Sequence, residues 1–244
     1  MDEVRVIEVK EDVRSANKER ADELREELRR RGTFLLNLMS SPGAGKTTTL
    51  VRTIEALKDK LDIAVMEADI DSDVDARAIA ATGVPAVQLH TGGMCHLDAG
   101  MTRQGLEALR MELIESSAQP GADEAAPDGD AADEPELIFL ENVGNLVCPA
   151  EFDTGASACA MILSVPEGDD KPLKYPLMFQ ICDVVLVNKV DVLPYFDFDL
   201  AKCVENVHMR NPKARVIPIC AKTGEGMDGW YDWLISRVQD WRSE

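Results

Sequence analysis

The chain has 244 residues, 45% of them hydrophobic, and a formal net charge of −19 at pH 7, which argues against nucleic acid or an anionic membrane as a main partner. No apolar run approaches the roughly 18 to 20 residues that span a bilayer, and no signal-peptide pattern begins the sequence. We therefore expect a soluble, cytoplasmic protein built around one α/β core.

The predicted elements begin with an amphipathic helix over residues 15–31, where Ala21, Leu24 and Leu28 recur at helical spacing and Gly32 follows as a C-cap. We treat residues 1–33 as a helical extension and 34–244 as the main domain. Strands are predicted at 34–39, 63–66, 86–89, 137–140, 158–165, 184–187 and 215–219, and helices at 46–58, 75–81, 99–116, after Asp199 and around Trp230, Trp233, Leu234 and Val238. This alternation predicts a mainly parallel sheet with helices on both faces.

One segment, residues 119–136, interrupts the alternation of strands and helices. It contains seven acidic residues and no basic ones, with Pro, Gly and Ala between them. A segment of this composition buries too little apolar surface to become ordered by itself. We expect a disordered surface insertion between a helix and a strand, with a specific binding role as the alternative.

The stretch SSPGAGKTT at residues 40–48 lies between the first strand and the next helix. A buried strand that leads into a small-residue turn and a helix starting at Gly-Lys-Thr is typical of a phosphate-binding loop. In such a loop the backbone N–H groups surround a triphosphate, Lys46 reaches the outer phosphates and Thr47 ligates Mg²⁺. Ser40 departs from the strict pattern, which has glycine there, but the backbone cradle is retained. The predicted nucleotide-binding residues here are Gly43, Ala44, Gly45, Lys46, Thr47 and Thr48.

Two later stretches predict the identity of the base. NKVD at residues 188–191 follows an apolar strand, and a carboxylate at Asp191 accepts hydrogen bonds from guanine N1–H and the exocyclic amine, which adenine cannot match. CAKTG at residues 220–224 is similar to the S-A-K loop that backs guanine in GTPases. Four polar residues after a strand are also typical of a plain turn, but the order of the three motifs predicts GTP rather than ATP. The predicted guanine-side residues are Asn188, Lys189, Asp191, Ala221 and Lys222.

A sensor for the third phosphate and a magnesium ligand are expected after two further strands. ENVG at residues 141–144 stands where GTPases usually carry D-x-x-G, so Glu141 and Gly144 are candidates for this role. Asp69 is a second candidate, either for magnesium or for the attacking water. Hydrolysis then depends on positioning and electrostatics, with Mg²⁺ and Lys46 neutralising charge on the transferred phosphoryl group.

A candidate metal site combines Cys95 and His96, which share one loop, with Cys148, which follows the proposed phosphate sensor. Two thiolates and one imidazole suit nickel or zinc and leave the metal without a fourth protein ligand. The alternative is that the cysteines are small buried hydrophobes and the histidine an ordinary loop residue. The six cysteines lack the spacing of a secreted disulfide scaffold, so reduced thiols are expected. Four are expected to be buried hydrophobes: Cys159, Cys182, Cys203 and Cys220.

Several stretches together resemble the HypB family, GTPases that help to insert nickel into [NiFe] hydrogenase. They are SPGAGKT at 41–47, TG and CHLDA within 91–99, ENVGNLVCP at 141–149, EGDDKPLKYP at 167–176 and NKVD at 188–191. The resemblance implies a SIMIBI-class P-loop GTPase that forms a homodimer when GTP is bound. The sequence shows no obvious arginine finger, so we expect slow hydrolysis and a role as a switch. The resemblance also implies a nickel or zinc site at the dimer interface, built from Cys95, His96 and Cys148 of each subunit. The implied partners are a HypA-type nickel-binding accessory protein and the [NiFe] hydrogenase large subunit.

The chain departs from the family pattern near its N-terminus, and two other functions remain open. Some family members carry a cysteine motif or histidine-rich tract there, whereas residues 1–33 contain neither Cys nor His, so a separate high-affinity nickel store is not expected. A urease-type nickel GTPase would share the phosphate loop, but it normally uses a Cys-Pro-His motif, and here His96 directly follows Cys95. A metal-buffering protein with a purely structural nucleotide site is the other alternative.

Overall fold

The computed structural model describes residues 9–69, 74–117 and 134–243. Within these ranges seven strands form one sheet, and every pair of neighbouring strands is parallel. The strands are β1 Phe34–Ser40, β2 Ile63–Asp69, β3 Ala86–His90, β4 Leu137–Glu141, β5 Ala158–Ser164, β6 Val184–Asn188 and β7 Arg215–Pro218. Their order across the sheet is β3-β2-β4-β1-β5-β6-β7, so the strand that leads into the glycine-rich turn lies at the centre.

Helices precede the first strand, connect each strand to the next and follow the last, as the alternating pattern predicts. They are α1 Val9–Arg31, α2 Lys46–Leu57, α3 Val74–Ala80, α4 Ala99–Ser117, α5 Cys148–Glu151, α6 Lys171–Lys174, α7 Pro176–Gln180, α8 Leu200–His208 and α9 Met227–Ser243. Two 3₁₀ turns cover Val165–Glu167 and Val190–Tyr195. The short helices α5, α6 and α7 were not predicted, because each has only four or five residues and so shows no helical periodicity. None of the helices in the described ranges is both long and apolar enough to cross a membrane.

The central strand β1 is buried on both sides, and its side chains alternate between two clusters. Leu36 belongs to the cluster that includes Trp230 of α9. Leu35, pointing to the opposite face, belongs to the cluster that includes Leu24 of α1 and Leu109 of α4. Consecutive strand residues face opposite sides of a sheet, and here the residues on each side pack against helices. The sheet is therefore covered by helices on both faces, and the predicted architecture is confirmed.

Helix α1 packs against the body of the protein through the face that its periodicity predicts. Ala21, Leu24 and Leu28 are all at most 1% exposed. Its C-terminus is closed by Gly32, which adopts the left-handed conformation at φ 70°, and by a hydrogen bond from the Thr33 N–H to the Leu28 carbonyl. The described part of the predicted extension therefore shares a hydrophobic core with the sheet.

Most of the predicted disordered insertion, residues 119–133, lies outside the described residues. Its last residues lead directly into β4 and are held by ion pairs. Glu134 accepts hydrogen bonds from Arg31 of α1 at 2.6 Å and from Arg110 of α4 at 2.8 Å. Glu136 pairs with Arg242 of α9. The predicted insertion ends at residue 136, so its last residues include two that ion pairs attach to three helices.

Candidate functional site

The predicted site residues gather at one edge of the sheet. The phosphate loop follows β1, Glu141 is the last residue of β4, and Asn188 is the last residue of β6. Since every strand runs in the same direction, these carboxyl ends meet where open α/β sheets bind ligands. Asp69 is the last residue of β2, which places its backbone at the same edge. Its assignment to magnesium or water stays a prediction.

The turn between β1 and α2 has the backbone that a phosphate cradle requires. Gly43 and Gly45 both adopt left-handed conformations, at φ 75° and 96°. A side chain at Gly45 would also collide with the amide nitrogen of Asn188. Ser40, the departure from the strict pattern, is buried, and its hydroxyl donates to the Ser41 carbonyl at 2.8 Å. The serine is thus accommodated within the turn.

Helix α2 begins at Lys46, and its first two side chains both contact the carboxylate of Glu141. Lys46 Nζ lies 2.8 Å from Glu141 Oε1, and Thr47 Oγ1 donates to the same oxygen at 3.0 Å. Glu141 is completely buried, and among the described residues its other oxygen, Oε2, has no hydrogen-bond partner. Buried carboxylate oxygens are normally satisfied, and an oxygen beside a hydroxyl fits the ligand preference of Mg²⁺. Thr48 is exposed on the same helical turn.

The segment after β4 packs directly on the phosphate loop. A Cβ at Gly144 would lie 3.3 Å from the backbone nitrogen of Pro42, so a larger residue there would have to push the phosphate loop away by a small distance. Asn142 attaches the start of this segment to the central strand, because its Nδ2 donates to Oδ1 of Asn37 in the middle of β1 at 3.1 Å. Sequence reasoning missed this buried amide pair, although a polar Asn37 within an apolar strand was a visible signal.

Asn188 links the phosphate loop to the two predicted guanine loops. Its Nδ2 donates to the Ala44 carbonyl at 2.9 Å. Its Oδ1 accepts from the N–H of Lys189 at 2.8 Å and from that of Ala221 at 3.1 Å. Lys189 adds a further link, since its Nζ donates to the Gly43 carbonyl at 2.7 Å. The three motifs found in the sequence therefore form one connected structure.

Asp191, the predicted guanine-reading carboxylate, is exposed at the start of a 3₁₀ turn. The thiol of Cys220 donates to its Oδ1 at 3.2 Å, and Cys220 itself is buried. The sequence placed Cys220 in the loop that is similar to S-A-K and predicted its side chain to be a buried hydrophobe, so its contact with the predicted base-reading carboxylate was missed. The carbonyl of Lys222, in the same loop, accepts a hydrogen bond from Arg52 of α2 at 3.0 Å.

Cys95, His96 and Cys148 converge on one point. One potential ligand atom from each residue lies within 4.8 Å of the others, and all three side chains are half-buried. The His96 ring stacks on Phe152 with a centroid distance of 3.9 Å and an angle of 16° between the rings. Asn145 accepts hydrogen bonds from the N–H groups of both Val147 and Cys148 and so closes the turn before α5. This donor set suits nickel or zinc.

The thiols differ in their electrostatic setting. A hydrogen bond with Cys95, followed by burial, raises the pKa of Cys148 above its ordinary value. Metal binding at this site must therefore displace a thiol proton. Burial raises the pKa of Cys203 to about 12 and that of Cys182 well above the usual range, as expected for unreactive interior thiols. All six cysteines of the chain are free thiols.

One predicted nucleotide-site residue and one predicted metal ligand lie close together on the segment after β4. Glu141, which contacts the phosphate loop, and Cys148, which contacts the other metal-site residues, are separated by only six residues. Gly144 lies between them against Pro42. A change at the nucleotide therefore has a short covalent path to a metal-site side chain.

Comparison with known proteins agrees with the fold and with a nucleotide-binding domain. The family model for the CobW/HypB/UreG nucleotide-binding domain matches residues 34–218. A hydrogenase maturation factor HypB from Rhizobium leguminosarum bv. viciae is 44% identical over 234 residues, which cover 96% of this chain and 71% of the relative. The crystal structure of HypB from Archaeoglobus fulgidus matches with a TM-score of 0.77 and 33% identity, covering 92% of this chain and 99% of that one. The crystal structure of HypB from Helicobacter pylori in complex with nickel gives 0.79 and 33%, covering 92% and 96%. These matches confirm the predicted SIMIBI-type P-loop fold.

Proposed function

Because the chain belongs to the HypB family, we propose that it is a GTP-hydrolysing metallochaperone that binds nickel or zinc and helps to insert nickel into [NiFe] hydrogenase. The observation that carries this proposal is the continuous segment that joins Glu141, bonded to Lys46 and Thr47, to Cys148 of the metal site. A protein that only stored metal would not need this connection.

The nucleotide side of the proposal assigns a role to each group around the phosphate loop. The loop backbone and Lys46 bind the phosphates, and the phosphates compete with Glu141 for the lysine ammonium. Thr47 and Glu141 are the described groups that would hold Mg²⁺, with Asp69 as the further candidate. When bound, Mg²⁺ neutralises charge on the phosphoryl group. The Gly144 N–H would donate to the γ-phosphate, and Asp191 would select guanine.

The metal side of the proposal requires two subunits. Cys95, His96 and Cys148 provide three ligands, so a second copy would complete the coordination shell. Two large apolar side chains flank these ligands and remain exposed, Met94 at 45% and Val147 at 52%. Apolar exposure beside a ligand set fits a protein–protein contact, which supports a homodimer formed around the metal when GTP is bound.

The proposed partners and location follow from the family. We propose that a HypA-type nickel-binding accessory protein and the hydrogenase large subunit are the partners of this chain. A cytoplasmic location is supported by six free thiols and the absence of any disulfide among them.

One titration tests the proposal most directly. Nickel is added to the full chain with Mg²⁺, once with a non-hydrolysable GTP analogue and once with GDP, while oligomer size is followed by light scattering. We expect the analogue to shift the nickel affinity and to produce a dimer. An identical affinity in both states would favour the metal-buffering alternative.

Ligand variants and a delivery assay complete the test. Combining Cys95→Ala with Cys148→Ala should remove the bound metal while GTP turnover stays detectable, and retained stoichiometric nickel would place the ligands elsewhere. In extracts that lack the endogenous factor, we expect the protein to activate apo-hydrogenase but not apo-urease. Activation of urease alone would favour the urease-type alternative.

A further inference from the structure

We propose that Asn17 of α1 is a positioning residue for the metal site, because its amide joins the two segments that carry the metal-site side chains. The inference rests on the proposed metal function. Asn17 is only 7% exposed. Its Nδ2 donates to the carbonyl of Asp153 at 2.8 Å, and its Oδ1 accepts from the N–H of Ala99 at 3.0 Å. Both the nitrogen and the oxygen of the side-chain amide therefore make a hydrogen bond, one to each segment.

The two segments reach the site from strands that do not pair. Cys95 and His96 follow β3, and Ala99 begins α4 three residues after the histidine. Cys148 begins α5 after β4, and Asp153 comes two residues after that helix ends. Strand β2 lies between β3 and β4 in the sheet. Sheet hydrogen bonds therefore do not align the segments directly, and contacts outside the sheet must set the distance between the ligands.

Helix α1 holds the segment after α5 at several points. Arg25 donates to the Asp153 carboxylate at 2.8 Å and to the Ala156 carbonyl at 2.9 Å. Gly155 lies so close to the helix that a Cβ there would be 2.9 Å from Leu24 Cδ2. These contacts fix α1 to one segment, and the hydrogen bond from Asn17 to Ala99 extends that attachment to the other.

The stacking of His96 on Phe152 shows why this attachment matters for the ligands. The imidazole belongs to the first segment and the phenyl ring to the second, and the rings are 3.9 Å apart. A shift of one segment against the other would move the imidazole relative to the Cys148 thiol. Groups that hydrogen-bond to metal ligands typically change metal affinity by about 10- to 100-fold when they are removed, and we expect the lower end for Asn17 because it acts through the backbone of the two segments.

The test compares Asn17→Ala with Lys18→Ala in the full chain. Lys18 is the neighbouring α1 residue, and its side chain is 70% exposed in a surface pair with Asp22. Nickel chloride and cobalt chloride are titrated into each variant, and cobalt absorption reports the ligand geometry. We expect Asn17→Ala to weaken nickel binding about tenfold and to alter the cobalt spectrum, with GTP turnover unchanged. Lys18→Ala should match the wild type in all three measurements.

A third variant separates positioning from a general loss of stability. Leu28→Ala removes a fully buried side chain of the same helix, eleven residues beyond Asn17. If it weakens nickel binding as much as Asn17→Ala does for the same loss of thermal stability, the positioning role is wrong. An unchanged nickel affinity and cobalt spectrum in Asn17→Ala would also overturn it. If Cys95→Ala leaves the nickel affinity of the wild-type background intact, the proposed metal site fails, and the positioning role fails with it.

Discussion

Replacing Asn188 by alanine should weaken nucleotide binding and lower stability together, because its side chain connects the phosphate loop to both guanine loops. It makes hydrogen bonds with the Ala44 carbonyl and with the N–H groups of Lys189 and Ala221. At about 1 kcal/mol net for each bond, the free energy of unfolding should fall by about 3 kcal/mol. For a chain of this length, that loss corresponds to a decrease in Tm of roughly 6 to 12 °C. GTP affinity should also fall, since the phosphate loop and the predicted guanine loops lose the side chain that connects them.

The matched control is Asn211→Ala, which removes the same number of side-chain hydrogen bonds elsewhere. Asn211 donates to the carbonyls of Gln180 and Cys182 and accepts from the N–H of Lys213. It precedes β7 and so lies at the amino ends of the strands, whereas the predicted nucleotide loops lie at their carboxyl ends. Urea unfolding measures the stability of both variants, and a fluorescent GTP analogue measures affinity. Wild-type GTP affinity in Asn188→Ala, or an equal loss in both variants, would refute the reasoning.

Substitutions at three other residues test single roles. Asp191→Asn should shift preference from GTP toward xanthosine triphosphate, because an amide no longer accepts both guanine donors; unchanged GTP binding in competition assays would remove Asp191 from base recognition. Cys220→Ala should weaken GTP binding about fivefold through the lost hydrogen bond to Asp191, while Cys220→Ser keeps a donor and the affinity. Glu141→Gln should slow single-turnover phosphate release by about 100-fold or more with GTP still bound, and a normal rate would shift the magnesium role to Asp69.

The fold and the loops of the candidate site could be predicted because the information for them is local. Apolar runs such as 34–39 and 184–187 end at residues that form tight turns, and their alternation with amphipathic helices specifies a parallel sheet. Glycine at 43 and 45 and the following Lys-Thr pair show the cradle without any knowledge of the rest of the chain.

The residues that the sequence did not reveal act through distant partners. Asn37 and Asn142 are 105 positions apart, and Asn17 and Ala99 are 82 apart. A polar residue inside an apolar pattern shows that a partner must exist, since buried amides are satisfied, but it does not show which one. The predicted burial of Cys220 is confirmed, but its contact with Asp191 was missed for a related reason. Burial is all that its apolar neighbours predict, and the carboxylate it contacts follows a different strand.

Under the proposed function, the predicted metal ligands differ in their distance along the chain from the nucleotide. Cys148 follows the contacts of Glu141 and Gly144 with the phosphate loop, and the chain beyond it is held by α1 at Asp153. Cys95 and His96 lie on a different segment, which a hydrogen bond from Ala99 connects to the same helix. A rearrangement around the γ-phosphate would therefore act first on the stretch between Gly144 and Asp153, and it would shift the Cys148 thiol relative to the other two side chains. Nucleotide state would then change metal affinity without exchanging any ligand, because a change in one distance suffices to favour one state of the site over another.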